Sequence, residues 1–415
     1  MSGKLRSMHV CRLFSILIAL NFAGFAKAQD MFADVPLPFD IEISSSTSSD
    51  FTGVWTGKWS DWLNHILVVE DVSADGTARV AYSIGQIGSA PGRFFRISAE
   101  IRDGELIIAE PQLRARYSFS STGRLRAVYE NEQAFAVLNK RDLDGMTSDP
   151  SADWWSVGHS EYVKTELFED GRAVRLNTVL ALPDGDGPFP LAIVHHGSTG
   201  DGKDLSFAKQ VWSTAWFADM LNEQGYLVAF PQRRGREGSD GLYDEGFNED
   251  RAAGYSREAA VTLKGADRAL TDANAALEAL MRRPDVADQP VLLAGMSRGG
   301  VVAIMQAGSK PDMVSGVVKF VGGWLGEFWD KQDVNKTLFA RIGEFKVPIL
   351  SMYGEDDPFY SVAFSKTYLK VLEEMGANSR VNVVKPGGQG MGHLVMHIPS
   401  LWQSDVEALL QELSR

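Results

Sequence analysis

The sequence predicts an α/β protein: a doubly wound, mostly parallel sheet preceded by a small antiparallel all-β domain. Three observations carry this. Residues 51–141 hold eight short segments of period-2 alternation split by turn signals. Beyond residue 160, near-continuous apolar runs alternate with amphipathic ones. Polar stretches at 29–50 and 142–159 separate these textures and read as linkers. Alternation fits half-buried antiparallel strands, whereas strands apolar throughout need cover on both faces, which helices flanking a parallel sheet supply.

Taken in order, Lys4, Arg6 and Arg12 precede the apolar stretch Leu13 to Ala26, which closes in Ala26-Lys27-Ala28. That layout is expected of a cleaved signal peptide over residues 1–28, and hence of an exported chain, periplasmic or secreted. An uncleaved anchor is the alternative, but the apolar stretch falls short of the roughly 18 residues a spanning helix needs. The single cysteine, Cys11, lies inside this segment. The mature chain is then expected to lack thiols, which excludes disulfides, cysteine nucleophiles and cysteine-held metals. Losing residues 1–28 removes four cationic side chains and no acidic one, taking the formal net charge from −13 to −17. So acidic a chain, without a basic run, is not expected to bind nucleic acid or an anionic membrane.

The eight alternating segments run from "GVWTGKW" through "HILVVEDV", "TARVAYSIG", "FFRISAEI", "GELIIAE", "ARYSFS" and "LRAVYE" to "AFAVLNK", with turns at Asp75-Gly76, Asp103-Gly104 and Thr122-Gly123. They predict a small barrel or sandwich over 51–141. Trp55, Trp59 and Trp62 cluster near its first strand, as core or as a binding mouth. In the catalytic domain expected over 160–415, strand-like runs such as "PLAIVHHG", "YLVAFPQ", "VLLAGMS" and "VPILSMYGE" alternate with helix-like ones near 204–224, 257–282, 299–308, 361–375 and 400–414. Sheets of this kind place their chemistry at the carboxyl ends of strands.

Four such ends carry reactive side chains. Gly295-Met296-Ser297-Arg298-Gly299 lies between a buried strand and a helix, where glycines allow a tight turn that presents Ser297. A serine hydroxyl needs an adjacent imidazole, itself oriented by a carboxylate. Of the seven histidines only His393 and His397 follow Ser297, and His393 sits in the glycine-rich loop "GGQGMGHLVM". His397 is expected to pack or face solvent. "VPILSMYGEDDPFY" offers Glu355, Asp356 and Asp357; Asp357 is preferred because it lies past the strand end, and Asp356 stays as the alternative. The Arg298 N–H at a helix start and the Ser198 N–H in "VHHGST" are the expected oxyanion donors, with structural roles for His195 and His196.

Together these residues resemble the α/β-hydrolase superfamily, in particular its dienelactone-hydrolase-like and prolyl-oligopeptidase-like branches. "HHGST" is similar to their oxyanion loop, "RRGREGSDG" (residues 233–241) to a glycine-rich turn, "GMSRGG" to the nucleophile elbow, "YGEDDPF" to the acid loop and "GMGH" to the histidine loop. The resemblance spans residues 160–415 in the order Ser, Asp, His. It departs in two respects: dienelactone hydrolases proper usually carry a cysteine nucleophile, and the first domain is too short for a propeller and instead looks lipocalin-like. The resemblance implies a serine hydrolase acting on a carboxylic ester through an acyl-enzyme, with no cofactor or metal, and the N-terminal layout adds the expectation of export. A peptidase or acyl-peptide hydrolase is the runner-up.

Two other classes compete. A metallohydrolase could gather His195, His196, His393 and His397, but the chain lacks the glutamate of H-E-x-x-H. A binding protein would need the triad to be accidental. The substrate is a small molecule or an acyl or peptidyl group, and Trp324, Phe328 and Trp329 in the insertion 324–346 are candidates for an acyl pocket wall. Oligomeric state is not legible.

Overall fold

The computed structural model of the chain describes residues 31–414 except 33, 39, 45–48, 112, 133 and 149–152. The expected signal segment, with Cys11, lies outside the described residues. Two compact units emerge: one of residues up to Val157 with Thr214–Asp219, the other of Gly158–Ser213 with Met220–Arg415.

In the first unit a two-stranded hairpin, β1 (Met31–Phe32) and β2 (Val35–Pro36), precedes eight strands. These are β3 (Gly53–Trp59), β4 (Leu63–Val72), β5 (Thr77–Ile84), β6 (Arg93–Arg102), β7 (Glu105–Glu110), β8 (Leu113–Phe119), β9 (Leu125–Tyr129) and β10 (Ala134–Arg141). They match the eight alternating segments and close into an antiparallel barrel in which β10 pairs with β3. In β8 the alternation is plain: Leu113, Ala115 and Tyr117 point inward, Arg114 and Arg116 outward. Trp55 and Trp59 belong to the packed interior with Tyr82 and Tyr117, while Trp62 is exposed.

Within the stretch 29–50, expected as a linker, described residues pack against the barrel strands. Val35 and Leu37 are buried against Val54, Ile66, Val68 and Ala81, and Asp34 accepts hydrogen bonds from Asn64 Nδ2 at 2.8 Å and the Gln86 N–H at 2.6 Å. The physical reason is that β3, β4 and β5 carry apolar residues on both faces, and the outer face needs cover. Met146 of helix α1 (Leu143–Ser148), inside the second expected linker, joins the same cluster.

The second unit holds eight strands: β11 (His159–Glu169), β12 (Arg172–Ala181), β13 (Leu191–His195), β14 (Leu227–Pro231), β15 (Val291–Met296), β16 (Val314–Phe320), β17 (Ile349–Gly354) and β18 (Ser379–Val384). Their spatial order is β11-β12-β14-β13-β15-β16-β17-β18; the β11–β12 and β12–β14 pairs are antiparallel and the other five parallel. Helices α3 (Ala259–Leu280), α4 (Arg298–Ser309), α5 (Val334–Phe339), α6 (Val362–Glu374) and α7 (Gln403–Leu413) alternate with these strands along the chain, and α2 (Ala215–Glu223), whose first residues fall in the first unit, comes between β13 and β14 in sequence. Every residue of β13, β14, β15 and β17 is buried, as their unbroken apolar runs require. Strand β11 was not read from sequence, because "HSEYVKTELFE" is an edge strand whose charged residues blunt the apolar signal. The helix expected over 204–224 is broken into a 3-10 turn at Ser206–Lys209 and α2. No helix of the described residues is long and apolar enough to cross a membrane.

His65 is the one imidazole in the barrel core. Its Nδ1–H donates to the Ser83 carbonyl at 2.8 Å, and its Nε2 accepts from the Tyr117 hydroxyl at 2.9 Å. The neutral ring is therefore satisfied at both nitrogens, and burial holds its pKa down to about 4 from 6.5. A folded-state value below the unfolded one means that the unfolded chain takes up the proton first as pH falls. Stability is thus retained above pH 6.5 and lost between 6.5 and about 4, by about 3 kcal/mol for this residue. The thermal midpoint is expected to drop across that window, and His65→Gln to drop less steeply than the parent. Equal slopes in the two proteins would assign the acid sensitivity elsewhere.

Candidate active site

The strand β15 ends at Met296, and the next residue, Ser297, takes φ 55° and ψ −124° before α4 begins. A left-handed backbone at a non-glycine residue costs about 1–3 kcal/mol and persists only where the surroundings fix it. Here they do: Ser297 N–H donates to Phe320 O at 2.9 Å, and its carbonyl accepts from Gly300 N–H at 3.0 Å and Gly323 N–H at 3.3 Å. The flanking glycines are steric necessities. A Cβ on Gly295 would lie 2.3 Å from the Gly299 carbonyl oxygen, and one on Gly299 would lie 2.0 Å from that of His195. The G-x-S-x-G spacing follows from α4 leaving the sheet that closely.

Asp357 Oδ2 accepts from His393 Nδ1 at 2.9 Å, with the carboxylate wholly buried. Oδ1 accepts the N–H groups of Phe359 at 2.8 Å and Tyr360 at 3.0 Å. One carboxylate therefore both orients the imidazole and closes the turn that brings two rings against it. Phe359 meets His393 edge-on at 4.9 Å and Tyr360 at 5.6 Å. With Nδ1 donating to Asp357, Nε2 is the nitrogen left to accept a proton. Gly354 and Gly392 allow the two loops to meet, since a Cβ on either would fall within 2.4 Å of the other loop's backbone. Asp356 is exposed at φ 58°, and Glu355 faces Lys385 at 3.8 Å. Neither reaches the histidine. His393 belongs to the 3-10 turn Met391–His397, and both it and Ser297 line one cleft.

As the first residue of α4, Arg298 has an N–H without an intrahelical acceptor. The loop after β13 passes beside Ser297: a Cβ on Gly197 would be 3.3 Å from Ser297 Cβ, and Ser198 lines the same cleft. His195 Nε2–H donates to Gln306 Oε1 at 2.7 Å, tying β13 to α4. His196 Nδ1–H donates to Gly197 O at 2.8 Å, and its Nε2 accepts the Arg233 N–H at 3.1 Å. Burial, with the Arg233 charge second, holds His195 down to about 3 and His196 well below its usual range, so both are neutral fasteners.

The cleft has a volume of about 710 Å³. Its walls include Trp212, Tyr255, Trp324, Trp329, Phe359 and Tyr360, and His397 reaches it too, where packing or solvent exposure was expected. Phe328, proposed from sequence as a wall, is 78% exposed and is not among the lining residues. Sequence reasoning missed Arg236. It is 4% exposed, lines the cleft, and leaves buried Nε and Nη1 without hydrogen-bond partners among the described residues. Its position inside "RRGREGSDG" was the available signal, but that run reads as a turn.

A family model described as the dienelactone hydrolase family matches residues 176–387. No curated protein matches the chain. Among solved structures it is similar to Est1E from Butyrivibrio proteoclasticus with ferulic acid bound, at 16% identity and TM-score 0.42, covering 61% of this chain and 100% of that one. It is also similar to the Pyrococcus horikoshii acylaminoacyl peptidase, at 13% identity and TM-score 0.43, covering 81% of this chain and 57% of that one. The Porphyromonas gingivalis dipeptidyl peptidase 4 is matched at 13% identity and TM-score 0.43, covering 84% of this chain and 53% of that one. The chain thus spans little more than half the length of either peptidase.

The Asp357 geometry predicts that Asp357→Asn, which leaves the imidazole in the wrong tautomer, lowers kcat by roughly three to four orders of magnitude, while Asp356→Asn keeps it within about threefold. Steady-state kinetics on any turned-over ester separates the two, and the reverse ranking would move the acid by one residue.

Proposed function

The chain belongs to the dienelactone hydrolase family, and from that premise we propose that it is an exported serine hydrolase cleaving a carboxylic ester through an acyl-enzyme. Ser297 is the nucleophile, His393 the base and Asp357 the carboxylate that orients it. The observation that supports this most is the 2.9 Å Asp357–His393 hydrogen bond on the cleft that also presents Ser297. Export rests on the basic, apolar and small-residue layout of residues 1–28.

In this reading Ser297 Oγ attacks the ester carbonyl carbon while His393 Nε2 takes its proton. The carbonyl oxygen becomes an oxyanion between the N–H groups of Ser198 and Arg298, where the helix start adds positive potential. Collapse breaks the bond to the alkoxy oxygen, which leaves as the alcohol with the proton from His393. Water, deprotonated by the same nitrogen, then attacks the acyl-enzyme and releases the carboxylic acid.

Arg236 narrows the substrate. A buried guanidinium lacking partners for two of its donor atoms is costly unless an anion completes it. An ester that also carries a carboxylate, held between aromatic walls, meets that requirement better than a neutral peptide.

Fluorophosphonate labelling is expected at Ser297 alone, and Ser297→Ala should give a folded protein without turnover. Label on another residue, or activity in that variant, sinks the mechanism. Arg236→Met should raise KM for carboxylate-bearing esters by roughly tenfold or more and leave neutral p-nitrophenyl esters within about twofold. An equal effect on both substrate sets would remove the anionic preference and leave the nucleophile untouched.

A further inference from the structure

The excursion 232–258, between β14 and α3, places a chain of buried hydroxyls behind the cleft. Thr199 N–H donates to the Tyr255 hydroxyl at 3.2 Å, and Thr199 Oγ1 lies 2.9 Å from the same oxygen. The Tyr255 and Tyr243 hydroxyls are 2.7 Å apart, and Tyr243 donates to Glu245 Oε2 at 3.3 Å. Each hydroxyl owns one proton and the carboxylate owns none, so the order of donation is fixed from the acid end. Tyr243 gives its proton to Glu245, Tyr255 gives to Tyr243, and Thr199 gives both its N–H and its O–H to Tyr255. The Thr199 amide is thereby spent and cannot serve an oxyanion.

Glu245 also reaches the two strand ends by a second route. Its Oε1 accepts from Arg233 Nε at 2.6 Å, and Arg233 in turn donates its N–H to His196 Nε2 at 3.1 Å and its Nη2 to His196 O at 3.0 Å. Residues 196 and 199, which flank Gly197 and Ser198, are thus both tied to one carboxylate. The nucleophile elbow is tied there as well. The Arg298 guanidinium lies 3.8 Å over the Tyr255 ring and donates Nη1 to Glu245 O at 3.1 Å. Glu245, Tyr243 and Tyr255 are at most 9% exposed, so little water competes for these bonds.

We propose that Tyr255, backed by Tyr243 and Glu245, is a positioning relay that holds the Ser198 and Arg298 amides in register as one oxyanion hole. This rests on the reading of Ser297 as nucleophile and of those amides as its oxyanion donors. The physical need is plain: the two donors come from separate loops, and both must meet an oxygen that exists only after attack, at about 2.7–3.1 Å. Anchoring both loops to one buried charge removes their relative motion before the reaction begins.

Tyr255→Phe tests it, because the variant keeps the ring under Arg298 and deletes only the hydroxyl. The expected result is a fall in kcat of roughly tenfold to a hundredfold with KM within about twofold. Affinity for a trifluoromethyl ketone, which forms a tetrahedral adduct on serine, should fall by the same factor, and affinity for the product carboxylate should not change. A merely structural tyrosine would move the thermal midpoint and the product affinity without coupling kcat to the ketone. Tyr243→Phe, one bond further back, should show the same coupled loss at smaller size and provides the reading if Tyr255→Phe does not fold. Unchanged kcat and ketone affinity in a folded variant would overturn the relay, as would a rise in KM alone. Fluorophosphonate labelling of Ser297 in the parent separates the outcomes: if it succeeds, the nucleophile stands whatever the relay does, and if it fails, the underlying reading falls first.

Discussion

The close approach of α4 to the end of β13 is the constraint on which the site depends. Two carbonyl oxygens, those of His195 and Gly299, occupy the space where side chains on Gly299 and Gly295 would be. That approach forces the left-handed turn at Ser297, aims the helix start at the cleft and brings the loop after β13 against Ser297. The strain is met by backbone hydrogen bonds to Phe320 and from Gly323, at and just past the end of β16, together with the local one from Gly300.

Around this point the second unit buries an unusual amount of charge. Glu245 lies between Arg233 and Arg298, and Asp272 holds Arg234 through a 2.6 Å ion pair and the Arg234 N–H at 3.0 Å. Lys319, fully buried, meets the Tyr353 hydroxyl at 2.8 Å, and burial drives its pKa well down. Tyr353 and Tyr368 both donate to Gly322 O, next to the Gly323 amide that supports Ser297. Buried ion pairs add little net stability, because desolvation consumes most of the Coulombic gain. They do enforce one geometry, since any slip leaves a charge unpaired in a medium that cannot solvate it. The barrel of the first unit follows a different rule. Its interior packs aliphatic side chains together with Trp59, Tyr82 and Tyr117 around a neutral histidine, so its order comes from packing and from two well-made hydrogen bonds.

The chemistry-bearing residues were legible because each sits where local sequence dictates local structure. Glycines at 295 and 299 around a serine between a strand and a helix admit few backbones, Asp357 follows a wholly buried strand, and His393 lies in the glycine-rich loop after the last strand. The eight barrel strands were legible because alternation has a period of two whatever the strand pairs with. Strand β11 and the cover over β3 to β5 were not. The first lies at a sheet edge where charge is tolerated, and the second consists of scattered apolar residues in a proline-containing stretch without any period.

By itself, then, the sequence determined the order of elements, the strained turn at Ser297 and the loops that carry Asp357 and His393, since these depend on contacts between residues close along the chain. Only the tertiary structure shows that Asp357 and not Asp356 meets His393, through a 2.9 Å contact across 36 positions of chain. It also decided that Arg236 lines the cleft with Nε and Nη1 lacking hydrogen-bond partners among the described residues, and that Tyr255, Tyr243 and Glu245 link to Thr199 in the loop after β13. The reason is the same in each case. Burial and proton direction are properties of the assembled surroundings, and no local spacing encodes which polar atoms will meet once water has been removed.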